Sequence, residues 1–228
     1  MDITILFIII LLIIGGVVGY RRGATRELIS LVGIFLVLIL SFIFKNPISV
    51  FLYNHLPFFN FAGSIKGITV LNILLYEFIA FLAVFTILYL VLRLLLIFSN
   101  MFEKVIDTTI LLGIPSKIIG SVLGVIEVYV YIFLVVFILR SPLFNSKYVS
   151  ESYICNKILE TPILSKVSDK SLRVLDQIVD LKDEYRDNED RTEFNQQALD
   201  IMIENKVITK DNAQALIDKG KLKGLVVK

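Results

Sequence analysis

The sequence predicts an all-α polytopic membrane protein with about four transmembrane helices and a helical, polar C-terminal tail. Of its 228 residues 56% are hydrophobic and 19% are charged, with a mean hydropathy of +0.79, which is more apolar than an ordinary soluble domain. Four apolar stretches are long enough, at about 20 residues, to cross a bilayer as helices. The charge is concentrated in the tail: residues 141–228 hold 14 Lys/Arg and 15 Asp/Glu, against nine and six in residues 1–140.

Residues 1–140 are predicted to form a four-helix transmembrane domain. Lipid offers the backbone no hydrogen-bond partner, so each crossing has to be a helix that satisfies its own amide groups. Charged residues bound the first two stretches, and the third is longer than one crossing requires. The predicted spans are residues 3–20, 28–44, 68–98 and 118–139.

The first loop predicts the orientation. Arg21, Arg22 and Arg26 follow the first span. In a signal peptide the basic residues precede the apolar run, so this stretch is expected to be a retained span. Basic residues in short loops favour the cytoplasmic side, so the amino terminus is expected outside. With Glu27 these arginines are predicted to anchor a tight cytoplasmic turn to anionic headgroups. Four crossings return the tail to the outside, where external labelling is expected to reach Cys155.

The tail divides by composition into three predicted segments. Residues 141–181 have apolar side chains at three- and four-residue steps, interrupted by Pro162, and predict amphipathic juxtamembrane helices. Residues 182–193 mix both charge signs and predict a solvated linker. Residues 194–228 predict a small helical hairpin. Such a hairpin cannot bury much core unaided, so it needs a partner, a second copy or the membrane.

An aromatic segment, residues 51–61, lies between the second and third spans and contains Pro57. Aromatic rings favour the headgroup layer, so this segment is expected to be a loop on the membrane interface. A re-entrant or lid segment is the alternative. His55 within it is either a polar loop residue or a proton relay.

Glycine spacing is the sharpest pattern in the chain. Gly15, Gly19 and Gly23 recur every fourth residue, and Gly120 and Gly124 repeat the spacing in the last span. Faces without side chains allow helices in lipid to approach closely. The spacing predicts packing between the first and fourth spans, with a dimerisation face or a sliding gate as alternatives. Gly23 could instead form the turn after the first span.

Three charged residues lie inside predicted spans, where an ionisable group usually faces protein or water. Glu77 and Glu127 are expected at similar depth, because they lie at comparable distances from the intervening loop. Together they could form a proton or cation pathway, or they could be protonated and hydrogen-bonded inside the bundle. Arg93 is near enough to its span end to reach the headgroups, which we expect in preference to an ion pair.

Other functional classes have little support in the sequence. The single histidine lies in a predicted interfacial loop, so no serine–histidine–aspartate arrangement is indicated. One histidine and one cysteine nearly exclude a zinc site built from these residue types. No nucleotide-binding loop is present, and a net charge of +2 without a basic block argues against nucleic acid. We expect no catalytic residues, no metal and no cofactor. The expected partners are the lipid bilayer and other membrane proteins or a second copy of the chain.

One segment resembles a known family. An acidic residue followed by an apolar run leads into Gly19-Tyr-Arg-Arg-Gly-Ala-Thr-Arg-Glu-Leu-Ile-Ser-Leu-Val-Gly33, which is similar to the amino-terminal signature of the colicin V production protein (CvpA) family. The Gly120-Ser-Val-Leu-Gly124 segment resembles the last span of that family. The resemblance covers about residues 1–140.

This resemblance implies a multi-pass protein of the bacterial inner membrane. It further implies a non-enzymatic, accessory or structural role in producing or exporting a colicin V-like toxin, and in envelope integrity. The alternative from the residues themselves is a small proton- or cation-coupled transporter, or an oligomeric channel, that uses Glu77 and Glu127.

Overall fold

A computed structural model describes residues 3–61, 66–106, 113–140, 149, 152–185 and 191–227. Throughout these ranges the regular structure is helical, which confirms the predicted fold class. The helices are α1 (Ile3–Arg22), α2 (Ala24–His55), α3 (Leu71–Ile106), α4 (Gly113–Arg140), α5 (Tyr153–Leu159), α6 (Pro162–Glu184), α7 (Arg191–Glu204) and α8 (Lys210–Asp218).

Helices α1 to α4 contain four segments that are long and apolar enough to cross a membrane. This agrees with the predicted number of spans. Large apolar side chains such as Phe7, Ile13 and Val17 on α1 are exposed, as expected for a helix whose solvent is lipid. The four segments are Thr4–Arg22, Ala24–His55, Leu71–Ile97 and Gly113–Arg140.

Helix α2 extends beyond residue 44, the predicted end of the second span. Helix α2 continues past Lys45 and Pro47 to His55, so the aromatic segment is helical over its first residues instead of forming a loop throughout. Lysine is a good helix former, so Lys45 does not interrupt the helix, and its charge forms an ion pair with Glu77 of α3. His55 is exposed at the helix end, and its ring nitrogen lies 2.8 Å from the carbonyl oxygen of Phe51.

Two prolines lie in first helical turns. Pro115 is in the first turn of α4, which begins at Gly113 and therefore earlier than the predicted residue 118. Pro162 begins α6, where the sequence pattern predicted an interruption. A proline in a first turn is tolerated because the amide hydrogen that it lacks would have had no partner within the helix.

Compact packing divides the chain into two units. The first consists of Met1–Ser41, Phe85–Leu139 and Lys147–Leu164, and the second of Phe42–Val84, Arg140–Ser146 and Ser165–Lys228. The predicted domain boundaries at residues 140, 181 and 193 stay predictions. The middle of the predicted linker, residues 186–190, lies outside the described residues.

Within the second unit, Asn195 of α7 attaches the tail to the segment before α3. Its side-chain amide donates to the carbonyl oxygen of Gly67 at 2.9 Å and accepts from the amide of Val70 at 3.2 Å. Asn195 is buried. The hairpin formed by α7 and α8 therefore packs against a segment of its own chain.

Lys221 makes a second connection within the same unit. Its ammonium group lies at the carboxyl end of α2, where the last carbonyl groups of a helix have no partner within that helix. Burial, and to a smaller extent the charge of Lys219, lower the pKa of Lys221 below its ordinary value of 10.5. The ammonium group donates to the carbonyl oxygens of Tyr53 at 2.7 Å, Asn54 at 3.0 Å and Leu56 at 2.8 Å.

Cys155 lies on α5, in the first unit, and is 2% exposed. The side chain of Ser152 caps this short helix by accepting from the amide of Cys155. Labelling of this thiol therefore requires α5 to open, and the side of the membrane on which the tail lies has to be determined from another position.

Candidate functional site

The site begins with a backbone contact between α1 and α4. Gly19 and Gly120 lie so close that a Cβ atom added to Gly19 would overlap the carbonyl oxygen of Gly120. A Cβ on Gly120 would lie 2.5 Å from the carbonyl oxygen of Gly19. Backbone atoms cannot move aside as a side chain can. The two glycines are therefore required for this helix pair to form.

The same contact extends along both helices. A Cβ added to Gly15 would lie 2.6 Å from a methyl carbon of Val128 and 2.7 Å from the carbonyl oxygen of Gly124. One added to Gly124 would lie 3.1 Å from the Oε1 atom of Glu27. The predicted helix-packing glycines of the two spans thus lie within one interface of the same chain.

Gly23 belongs to the same contact, since a Cβ on Gly120 would lie 2.7 Å from its carbonyl carbon, and it also forms the turn after α1. Its φ angle is +81°, a left-handed conformation that residues with a side chain rarely adopt. It separates α1 from α2 and donates its amide to the carbonyl oxygen of Gly19 at 2.9 Å. The next amide, that of Ala24, donates to the hydroxyl of Ser116 at 3.1 Å, which attaches the turn to the start of α4.

Glu127 lies beside the glycine contact and is 3% exposed. Its Oε1 atom accepts hydrogen bonds of 2.9 Å from the hydroxyls of Ser30 on α2 and Tyr131 on α4. Its Oε2 atom is buried and has no hydrogen-bond donor among the described residues. One oxygen of this carboxyl therefore accepts from two hydroxyls, whereas the other has the guanidinium of Arg22 at 3.9 Å, beyond hydrogen-bond distance.

Glu27 is the second carboxyl of this cluster and is 1% exposed. Its side chain reaches that of Glu127, and the guanidinium of Arg22 lies 3.5 Å from Glu27 and 3.9 Å from Glu127. The sequence predicted Glu27 only as an anchor of the turn. The signal that could have indicated a buried polar cluster was Ser30, which lies three residues after Glu27 and therefore near it on the same helix.

Glu77 has its own partners within the second unit. It forms an ion pair with Lys45 and accepts a hydrogen bond from the hydroxyl of Ser49. Both partners lie on α2. The proposed pairing of Glu77 with Glu127 stays a prediction, because each carboxyl is described within its own unit.

Arg93 on α3 contacts an aromatic neighbour. Its Nε donates to the hydroxyl of Tyr89 at 2.8 Å, and its guanidinium carbon lies 5.0 Å from the centre of that ring. Arg93 also lines a cavity with Arg22 and Arg26. Arg21 lies outside this cavity and lines a groove between α1 and α4.

No group of three or more His, Cys, Asp or Glu side chains able to bind a metal occurs in the described part of the chain. The carboxyl pair of Glu27 and Glu127 has an arginine beside it instead of a third acidic ligand. This arrangement can bind a proton between two oxygens and can orient the start of α2 against α4.

Four helices that are long and apolar enough to cross a membrane indicate a multi-pass α-helical membrane protein. The chain belongs to the colicin V production protein family, which matches residues 3–162, more than half of its length. The resemblance found in the sequence is thereby confirmed, and membership supports a role in colicin V production in general. Neither a curated protein nor a solved structure matches the chain.

Proposed function

We propose that this chain is a non-enzymatic accessory or structural component in the production or export of a colicin V-like toxin. It would act in the inner membrane of a bacterium and contribute there to envelope integrity. The observation that carries the proposal is the family match over residues 3–162. Its natural partners would be the bilayer and other membrane proteins or a second copy of the chain.

The contact between α1 and α4 supports a structural role more than a sliding gate. Backbone atoms of Gly19 and Gly120 touch without an intervening side chain, and interiors packed this closely resist continuous deformation. The exposed apolar side chains of α1 remain available to lipid or to a partner helix.

The test is complementation in a toxin-producing host from which the gene for this chain has been deleted. We expect the deletion to reduce secreted toxin activity and the native chain to restore it. Gly19→Leu, which would drive a side chain into Gly120, is expected to fail, whereas Gly16→Ala is expected to succeed. Membrane levels of each variant are measured by immunoblot. Undiminished toxin secretion in the deletion strain would refute the proposal.

A proton- or cation-coupled role is the second candidate, and the Glu27 and Glu127 pair is the observation that favours it. Two buried carboxyls that lie close together disfavour each other's ionised form, which favours a proton shared between them. A proton between them would also provide the donor that Oε2 of Glu127 lacks. This changes the candidate residues from Glu77 and Glu127 to Glu27 and Glu127.

Proton flux into liposomes that contain the purified chain tests this second candidate. We expect flux to be lost in the Glu27→Gln, Glu127→Gln double variant if the candidate is correct. Glu77→Gln is the matched control, because its carboxyl is paired with Lys45. Flux that persists in the double variant removes the candidate without affecting the proposed accessory role.

A further inference from the structure

A cationic cavity lies beside the turn between α1 and α2. Its volume is about 160 Å³, roughly ten times the volume that one water molecule needs. It is therefore large enough for a small polyatomic group. The cavity is lined by Arg22, Arg26, Ser30, Arg93, Leu96 and Ile97.

The lining has three positive charges and no negative one. Arg22 ends α1, Arg26 lies in the first turns of α2, and Arg93 comes from α3. Like charges gathered at one cavity repel each other, and an anion between them relieves that repulsion. The convergence of three guanidinium groups from three helices therefore points to an anionic occupant.

The nearby acids do not neutralise this set. Arg22 lies 3.5 Å from Glu27 and 3.9 Å from Glu127, and neither carboxyl lines the cavity. The side chain of Arg26 makes no hydrogen bond or ion pair with the described residues. Arg93 donates through Nε to the Tyr89 hydroxyl and interacts electrostatically with Glu127. Two acids outside the cavity therefore face three guanidinium groups, so one positive charge of the set has no acidic counterpart there.

We propose that this cavity binds a phosphate group. Guanidinium groups offer forked pairs of N–H donors that match phosphate oxygens, and two walls of the cavity, Leu96 and Ile97, are apolar. This combination suits the headgroup of an anionic phospholipid. Free inorganic phosphate has the same chemistry and is the second possible source. The proposal does not depend on the role in toxin production.

The experiment uses the full chain purified in detergent and measures bound molecules by native mass spectrometry. One arm adds phosphatidylglycerol, with phosphatidylcholine in parallel, and the other adds inorganic phosphate without lipid. We expect phosphatidylglycerol to bind at least about tenfold more tightly than phosphatidylcholine, as charge-assisted hydrogen bonds would produce. This comparison needs no variant.

Variants assign the binding to the cavity. Arg26→Gln and Arg93→Gln are each expected to weaken phosphatidylglycerol binding about tenfold, which is the loss of one charge-assisted hydrogen bond. The matched control is Lys117→Gln. Lys117 is an exposed basic residue adjacent to Ser116, which bonds the same turn, and it does not line the cavity. It is expected to change binding less than twofold.

The pattern of binding loss in the arginine variants identifies the source of the phosphate group. If both variants selectively lose binding of phosphatidylglycerol, the cavity binds a lipid headgroup. If both variants selectively lose binding of inorganic phosphate, and the native chain has no preference between the two lipids, the cavity binds the free anion. The proposal is overturned if the native chain prefers neither anion, or if Lys117→Gln weakens binding as much as the arginine variants do.

Discussion

The hydroxyl of Ser30 on α2 donates a hydrogen bond of 2.9 Å to the buried carboxyl of Glu127 on α4, 97 residues away. Both side chains are buried, and lipid offers no alternative partner to either. This bond therefore connects two transmembrane helices at the point where the glycine contact brings α1 against α4. The polar cluster and the glycine contact belong to one packing arrangement.

Replacement of Glu127 distinguishes its hydrogen bonds from its charge. Glu127→Gln keeps an oxygen acceptor for Ser30 and Tyr131, so we expect little loss of stability. Glu127→Leu leaves two buried hydroxyls without an acceptor and should lower the free energy of unfolding by about 1–3 kcal/mol. Thermal unfolding of both variants in detergent measures this difference. Equal destabilisation by the two changes would mean that the charge matters more than the acceptor.

Alanine substitutions at Gly19 and Gly16 compare the closest part of the contact between α1 and α4 with a less crowded position on α1. In Gly19→Ala the added methyl group meets the backbone of Gly120, and we expect a loss of about 1–3 kcal/mol from overpacking. In Gly16→Ala the methyl group meets only side-chain atoms at 3.2 and 3.3 Å and one carbonyl oxygen at 3.9 Å. Gly16→Ala should therefore be the more stable variant in the same unfolding measurement; the reverse order would contradict the observed interface.

Gly23 tests the turn between α1 and α2. Gly23→Ala places a side chain on a residue with a φ angle of +81°, and we expect a loss of about 1–2 kcal/mol. Gly113→Ala is the control, because a Cβ there has no neighbour within 4 Å among the described residues. Urea unfolding of both variants provides the comparison. A Gly23→Ala protein as stable as the control would show that the turn tolerates a side chain.

Lys221 tests the attachment of the tail. Lys221→Gln removes an ammonium group that donates to three carbonyl oxygens at the end of α2. Faster hydrogen exchange is expected in α8 and in the last turn of α2, because both lose this connection. Lys223→Gln is the matched control two residues away. If exchange is the same in both variants, the Lys221 contact does not attach the tail.

The tail and the loop after α2 should lie on the same side of the membrane. Lys221 and Asn195 contact that loop and its flanking residues, and two crossings, α3 and α4, separate the loop from the tail. In a Cys155→Ala background, Lys210→Cys is expected to be labelled from outside in intact spheroplasts. Thr25→Cys in the first loop should react only after permeabilisation. The opposite pattern would invert the orientation predicted from Arg21, Arg22 and Arg26.

The sequence by itself determined the class, the number of spans and the glycine faces. The length of an apolar stretch and the four-residue spacing of glycines are local properties of one helix. They can be read from consecutive residues, and folding does not change them. Gly15, Gly19, Gly120 and Gly124 could therefore be predicted to pack before the interface was seen. The family resemblance depended on local motifs for the same reason.

Only the tertiary structure decided which charged groups meet. Glu127 contacts Glu27 and Ser30, and Glu77 pairs with Lys45, because the rotation of each helix about its axis selects partners that spacing along the chain cannot specify. The ion pair gives Lys45 a partner within the protein, where the local pattern predicted the end of the span. Attachment of the hairpin through Asn195 likewise joins residues more than a hundred positions apart, and no local signal indicates such a contact.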